Sequence, residues 1–112
     1  MTSMWDYRES VGRADRDVVG YDVEATDGSI GKIDESSNQA GAAYLVVDTG
    51  FWIFGKKRMI PAGVVDRVDD DDRKVYVAMS KADIKSAPDF NDQDRQVHDP
   101  YDTYYEPFGR RA

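Results

Sequence analysis

The branched aliphatic residues of this chain are concentrated between residues 18 and 88, in short runs separated by turn residues. Several runs alternate apolar and polar positions with a period of two, which is typical of strands with one buried face. The run at residues 44–48 is instead continuously apolar up to its last residue, as expected for a strand buried on both faces. The pattern predicts five or six strands, from the segments at residues 21–25, 30–35, 44–48, 57–60, 64–68 and 74–78.

Individual residues within and after these strands predict a turn, a bulge or close approach, and a helix cap. The pair Asp27-Gly28 predicts a hairpin turn, because glycine tolerates the positive φ that such turns require. Gly31, inside the second strand, predicts a bulge or a close approach of another backbone segment. After the last strand, Ser80 can cap a short helix, and Asp83 three residues later completes a capping-box pattern.

Composition divides the chain into three zones. Residues 1–17 form a polar arm, residues 18–88 a barrel domain and residues 89–112 an acidic tail that contains tyrosines. Consecutive short strands joined by small turns favour a closed barrel, because closure removes exposed sheet edges. We therefore expect a mainly β fold, a small six-stranded antiparallel β-barrel with a short C-terminal helix.

The charge of the chain narrows the choice of partners. Its 112 residues include 15 Lys and Arg against 22 Asp and Glu, a formal net charge of −7. A net anionic surface repels phosphate, so we expect no direct nucleic-acid partner. No apolar run exceeds six residues, whereas a membrane span needs about 20. Without a secretory pattern at the N-terminus, we expect a cytoplasmic protein that does not insert into membranes.

Residue types that support catalysis or metal binding are sparse. The chain has no cysteine and a single histidine, His98, in its Asp-rich tail. No nucleophile-elbow motif is present. Four acidic residues at the predicted tip of a hairpin could supply oxygen ligands to calcium, but the EF-hand pattern is missing and a solvated turn is the simpler interpretation. These residues are Asp69, Asp70, Asp71 and Asp72. We expect no enzyme activity and no cofactor.

Spaced motifs run through the predicted barrel domain. They are Val19-Gly20-Tyr21-Asp22-Val23, Asp27-Gly28-Ser29-Ile30-Gly31-Lys32-Ile33, Tyr44-Leu45-Val46-Val47-Asp48, Lys56-Lys57-Arg58-Met59-Ile60-Pro61 and Lys74-Val75-Tyr76-Val77. Together they resemble the PRC-barrel, the domain shared by the photosynthetic reaction-centre H subunit and the C-terminal half of the ribosome maturation factor. The whole chain is similar to the stand-alone PRC-barrel proteins of actinobacteria.

The resemblance implies a six-stranded barrel with a capping helix that serves as a binding or assembly module and not as a catalyst. It suggests an accessory role, for instance in stress physiology or complex assembly. Two alternatives stay open. One is a ribosome-associated assembly factor, and the other is a small-molecule or cation sensor that uses the barrel mouth or the acidic tip.

The connection after the third strand carries four consecutive large apolar residues, Phe51, Trp52, Ile53 and Phe54. Connections normally run over the surface, so we expect such residues to plug one end of the barrel, to contact another protein, or to divide between these two roles. Small domains have small cores, and a twofold dimer is the commonest assembly. We expect a homodimer with these residues at or near its interface, and an unidentified protein partner.

The tail carries Tyr101, Tyr104 and Tyr105 among acidic residues. Pro100 and Pro107 argue against one long helix in this segment. A partly disordered acidic tail is one interpretation. Alternatively, the tyrosines dock on the barrel, on a second protomer or on an external target, and in the last two cases they are interface residues.

Overall fold

The computed structural model describes residues 5, 7, 17–37, 43–50, 57–88, 90 and 99–109. The strands are β1 Asp22–Ala25, β2 Gly28–Ser37, β3 Tyr44–Asp48, β4 Lys57–Pro61, β5 Val65–Asp69 and β6 Lys74–Val77. The helices are α1 Lys81–Lys85 and α2 Asp99–Gly109, and a 3₁₀ turn, Ala62–Val64, links β4 to β5. Each predicted strand is therefore confirmed, with its ends shifted by no more than two residues.

The strands form one mixed sheet in the order β4-β3-β2-β1-β6-β5. β1 and β6 pair in parallel, and every other neighbouring pair in this sheet is antiparallel. Within the described residues no ladder joins β4 to β5, so the sheet is not closed. The prediction of a closed, wholly antiparallel barrel is wrong on both points. Alternation along a strand indicates which face is buried, but it does not indicate which distant strand lies alongside.

The two edge strands of the sheet are nevertheless consecutive in the chain. The 3₁₀ turn alone separates the end of β4 from the start of β5. A link of this length spans about 14 Å when fully extended. The sheet must therefore coil until its edges approach each other. Register shifts in the β1–β2, β2–β3 and β5–β6 ladders contribute, because bulges increase the local twist of a sheet.

Gly31 makes the close backbone approach that its position in the strand predicts. Its φ is +151°, and a Cβ placed on it would lie 2.1 Å from the carbonyl oxygen of Asp48. Any side chain here would displace β3 from β2. The glycine therefore allows the two strands to meet at the end of the sheet where β3 leads into the apolar connection.

The deepest part of the core lies at β3 and β4. Leu45, Val46 and Val47 are at most 1% exposed, and Met59 and Ile60 are fully buried. Successive residues of a strand point to opposite faces of the sheet. The prediction that residues 44–48 form a strand buried on both faces is therefore confirmed over β3 up to the exposed Asp48.

Helix α1 begins at the predicted capping box. The Ser80 hydroxyl accepts a hydrogen bond from the Asp83 backbone N–H, and the Asp83 carboxylate accepts one from the Ser80 N–H. At its other end, the buried guanidinium of Arg58 in β4 donates to the carbonyls of Ile84 and Lys85, each at 3.0 Å. A cation at a helix C-terminus is favourable. Arg58 thus ties α1 to β4.

Helix α2 packs part of the predicted tail against the 3₁₀ turn and β4. Pro100 lies in its first turn, where backbone N–H groups have no intrahelical acceptor, and Pro107 lies in its last turn. The argument from these prolines against a single helix is wrong over these 11 residues. Neither α2 nor the shorter α1, the two α-helices of the described ranges, is long and apolar enough to cross a bilayer.

Candidate interaction surface

The β3–β4 hairpin bears the connection that contains the four-residue apolar run. Asp48 and Lys57 form the last register pair before the connection. The Asp48 carboxylate accepts a hydrogen bond from the Gly50 N–H at 2.9 Å, and Gly50 has a φ of +62°, which glycine adopts without strain. The predicted interface residues Phe51, Trp52, Ile53 and Phe54, and the single histidine, His98, lie outside the described residues.

The base of this connection is anchored from two directions. Lys57 Nζ lies 2.6 Å from Asp34 Oδ2 of β2, and the Lys57 carbonyl accepts a hydrogen bond from the Phe90 N–H at 3.1 Å. On the β3 side, Asp48 and Gly50 are exposed. The connection therefore starts at a solvent-facing end of the sheet, from a well-anchored base. Binding residues are commonly held on connections of this kind.

Two of the three predicted interface tyrosines are buried by their own chain. Tyr101 is 1% exposed and Tyr105 is fully buried. Their rings are parallel, with centroids 6.5 Å apart, and the Trp5 ring meets Tyr101 edge-on at 6.4 Å. α2 thus attaches to the sheet through an aromatic cluster. A partner that meets this folded chain cannot reach the Tyr101 and Tyr105 side chains.

Trp5 is a core residue that the sequence prediction of a polar arm missed. Its side chain is 5% exposed, and its carbonyl accepts a hydrogen bond from the Ala43 N–H at 2.7 Å. The surrounding residues are mostly polar and show no period, so the pattern gives no sign of a buried position. The available signal is the residue type, because tryptophan buries a large area on average.

Tyr104 stays partly accessible. Its hydroxyl donates to the Asp83 carbonyl in α1, and its ring packs edge-on against Tyr105 at 5.3 Å and tilted against Phe108 at 5.9 Å. Burial, and then the nearby Asp83 carboxylate, raise the pKa of Tyr104. This tyrosine links α2 to α1, and it is the member of the predicted set that a partner could still contact.

The Tyr105 hydroxyl is a polar group enclosed in an apolar site. It has no hydrogen-bond partner among the described residues. Burial raises the pKa of Tyr105 far above its usual range. A buried hydroxyl without a partner costs about 1–3 kcal/mol. The attachment of α2 is therefore less stable than the same packing would be with an apolar ring.

The predicted acidic tip is the turn between β5 and β6. The Asp69 carboxylate accepts a hydrogen bond from the Asp72 N–H at 3.1 Å, and the Asp70 carboxylate accepts one from the Tyr21 hydroxyl at 2.9 Å. The Arg73 guanidinium lies 5.2 Å from the Tyr21 ring centroid. Over the described ranges, no group of three or more acidic or histidine residues is placed to hold a metal ion.

The outward face of β2, β1, β6 and β5 is polar and charged. Three cross-strand contacts lie on it: Lys32 with Asp22 at 3.0 Å, Lys74 with Glu24 at 3.8 Å, and the Arg67 guanidinium 4.2 Å from the Tyr76 ring centroid. The Lys32–Asp22 ion pair is exposed and contributes little to stability. The Glu24 side chain is only 20% exposed, and its Oε2 atom is buried without a hydrogen-bond partner among the described residues.

No protein-family model matches this chain, and no curated protein matches it either.

Proposed function

We propose that this chain is a non-catalytic protein-interaction module of the PRC-barrel type. In this proposal it acts as a homodimer, in an accessory and stress-related role in the cytoplasm, and without a cofactor. The aromatic loop, defined as residues 51–54, is its contact surface for a partner protein. The coiled six-stranded sheet followed by a capped helix supports the proposal, as do the motifs shared with the PRC-barrel family.

The observation that carries the proposal is the exposed, anchored base of the β3–β4 connection. Asp48 and Gly50 are exposed where the chain leaves β3, while Thr49 between them is buried, and a hydrogen bond from the Phe90 N–H to the Lys57 carbonyl holds the point where it returns. The short connection that begins at this base contains the four large apolar residues of the aromatic loop. Tryptophan and phenylalanine are frequent anchors of protein interfaces. Among the described residues, the charged outward face of β2, β1, β6 and β5 offers no comparable apolar surface.

The accessibility of Trp52 tests the role of the aromatic loop. The chain has two tryptophans, so a Trp5→Phe variant reports on Trp52 alone, and a Trp52→Phe variant reports on the buried Trp5 as the matched control. We expect red-shifted emission and efficient acrylamide quenching for Trp52, and blue-shifted, protected emission for Trp5. If Trp52 is protected at every protein concentration, the loop plugs its own sheet and the proposed contact surface is wrong.

Light scattering tests the homodimer separately. We expect wild-type protein at twice the mass of one chain. If Trp52→Ala halves that mass while the melting temperature is unchanged, the aromatic loop itself is the dimer contact. Val19→Ser, which alters an exposed apolar residue elsewhere on the chain, is the control and should leave the mass unchanged. A monomeric wild type would overturn the homodimer.

A further inference from the structure

Helix α1 is held at both ends by side chains from elsewhere in the chain. At its N-terminus the Asp27 carboxylate, from the turn between β1 and β2, accepts a hydrogen bond from the Lys81 N–H at 2.8 Å. At its C-terminus Arg58 donates to the carbonyls of the last two helical residues. Isolated helices shorter than about 12 residues are marginal in water, and Ile84 is the one buried side chain of α1. The helix therefore persists because these attachments hold it.

Helix α2 is joined to the same attachment. The Tyr104 hydroxyl donates to the Asp83 carbonyl of α1. Burial raises the pKa of both Tyr104 and Tyr105, and the positive charge of Arg58 partly opposes this rise in each case. Arg58 therefore lies close to α2 as well as to the end of α1. Release of either helix removes a contact on which the other depends.

The sheet is held by contacts of a different kind. Ladders of backbone hydrogen bonds join all six strands, and β1 and β6 have strand neighbours on both sides. Helix α2, by contrast, encloses the Tyr105 hydroxyl, which has no hydrogen-bond partner among the described residues. Local opening begins where packing and hydrogen bonding are weakest. We therefore expect the helices to open at a lower free-energy cost than the sheet.

We propose that α1 and α2 form a single releasable clamp beside β4, with Arg58 as the residue that couples them. In the closed clamp, α2 packs against β4 and the 3₁₀ turn, and α1 is bonded to Arg58. When the clamp opens, the two helices leave together, the β1–β6 ladder stays paired, and the edge of β4 becomes accessible. The clamp is a conformational device that controls access to this edge. It does not depend on the proposed homodimer or on the aromatic loop.

Amide hydrogen exchange, followed residue by residue by NMR, tests the local opening. In the wild type we expect the Ile84 amide of α1 and the Tyr105 amide of α2 to have equal protection factors. We expect both to lie at least about tenfold below the protection factor of Val75 in β6, because the sheet opens only on global unfolding. If the helix amides are protected as strongly as Val75, or differ from each other, there is no clamp.

A variant at the far end of α1 tests the coupling. Asp27→Ala removes the acceptor at the N-terminus of α1 without altering α2, and we expect it to lower the protection factor of Ile84 about fivefold. Coupled opening lowers the protection factor of Tyr105 by the same factor. An unchanged Tyr105 amide would show that the helices open separately, which overturns the proposal.

Arg58→Met tests the coupling residue itself, because it removes the guanidinium donors and keeps an apolar side chain. We expect the protection factors of Ile84 and Tyr105 to fall together, by at least about tenfold. Arg67→Met is the matched control, since Arg67 is exposed and contacts Tyr76 in the part of the sheet that stays folded. It should leave both protection factors unchanged. If Arg58→Met lowers the protection of Ile84 alone, Arg58 does not couple the helices.

Discussion

The two edge strands of the sheet, β4 and β5, differ in how far other parts of the chain cover them. The β4 edge is covered by the chain's own later residues. Its Arg58 binds the C-terminal carbonyls of α1, its Lys57 carbonyl accepts a hydrogen bond from Phe90, and α2 packs beside it. The β5 edge is charged, bulged and exposed at Asp66 and Arg67.

This difference shows two ways in which a sheet edge can be protected from association. Unpaired backbone groups at a sheet edge invite association with other strands. At β4 the groups are enclosed with apolar and aromatic residues, which stabilises the fold of the single chain. At β5 the exposed charges and the bulge discourage the approach of a further strand. We therefore expect mutations near β4 to change stability more than mutations on β5.

The largest expected effect is at the aromatic cluster beside β4. Tyr101→Ala removes a buried ring that contacts Trp5 and Tyr105, and we expect the free energy of unfolding to fall by about 3–5 kcal/mol. Urea denaturation followed by circular dichroism measures this change. Tyr76→Ala, at the β5 side of the sheet, is the control and should cost about 1 kcal/mol. Equal losses for the two variants would contradict the docking of α2.

An intermediate effect is expected at the enclosed hydroxyl of Tyr105. Tyr105→Phe removes a polar group that lacks a partner and keeps the ring, so we expect the free energy of unfolding to rise by about 1–3 kcal/mol. The same denaturation experiment measures it. A loss of stability in the variant would show that this hydroxyl is hydrogen-bonded in the folded chain.

The pH dependence of stability, compared between wild type and Tyr105→Phe, tests the same enclosed hydroxyl. Burial raises the pKa of Tyr105 in the folded state above the value of about 10 that tyrosine has in an unfolded chain. Below about pH 10, Tyr105 is protonated in both states and the stability of the fold does not change with its titration. Above that pH the unfolded chain loses the Tyr105 proton while the folded chain keeps it, so the free energy of unfolding falls. We expect Tyr105→Phe to lose less stability than wild type in this range. Equal losses would mean that Tyr105 does not control the alkaline transition.

The smallest effect on stability is expected at the β5 edge. Arg67→Ala removes an exposed cation over the Tyr76 ring, and we expect a loss of about 0.5–1 kcal/mol in the free energy of unfolding. Thermal or urea denaturation at a concentration where the protein is monomeric isolates this contribution. A loss as large as that of Tyr101→Ala would show that β5 is packed like β4 and would remove the contrast between the two edges.

Some features of the candidate site can be predicted from the sequence, and others cannot. The apolar run at residues 51–54 and the acidic tip at residues 69–72 are visible from composition alone. The burial of Tyr101 and Tyr105 cannot be predicted from composition, because isolated tyrosines among acidic residues and prolines look the same in sequence whether they are buried or exposed. Arg58 likewise shares its residue type with many surface cations, and its buried role depends on where α1 ends.

The sequence by itself indicated the strand segments, a bulge or close approach at Gly31 and the capping box of Ser80 and Asp83. These features depend on residue type and on neighbours a few positions away. The tertiary structure decided the parallel pairing of β1 with β6, the open sheet and the burial of Trp5, Arg58 and α2. Each of these joins segments far apart in the chain, and their contacts become favourable when the whole sheet has coiled around one core.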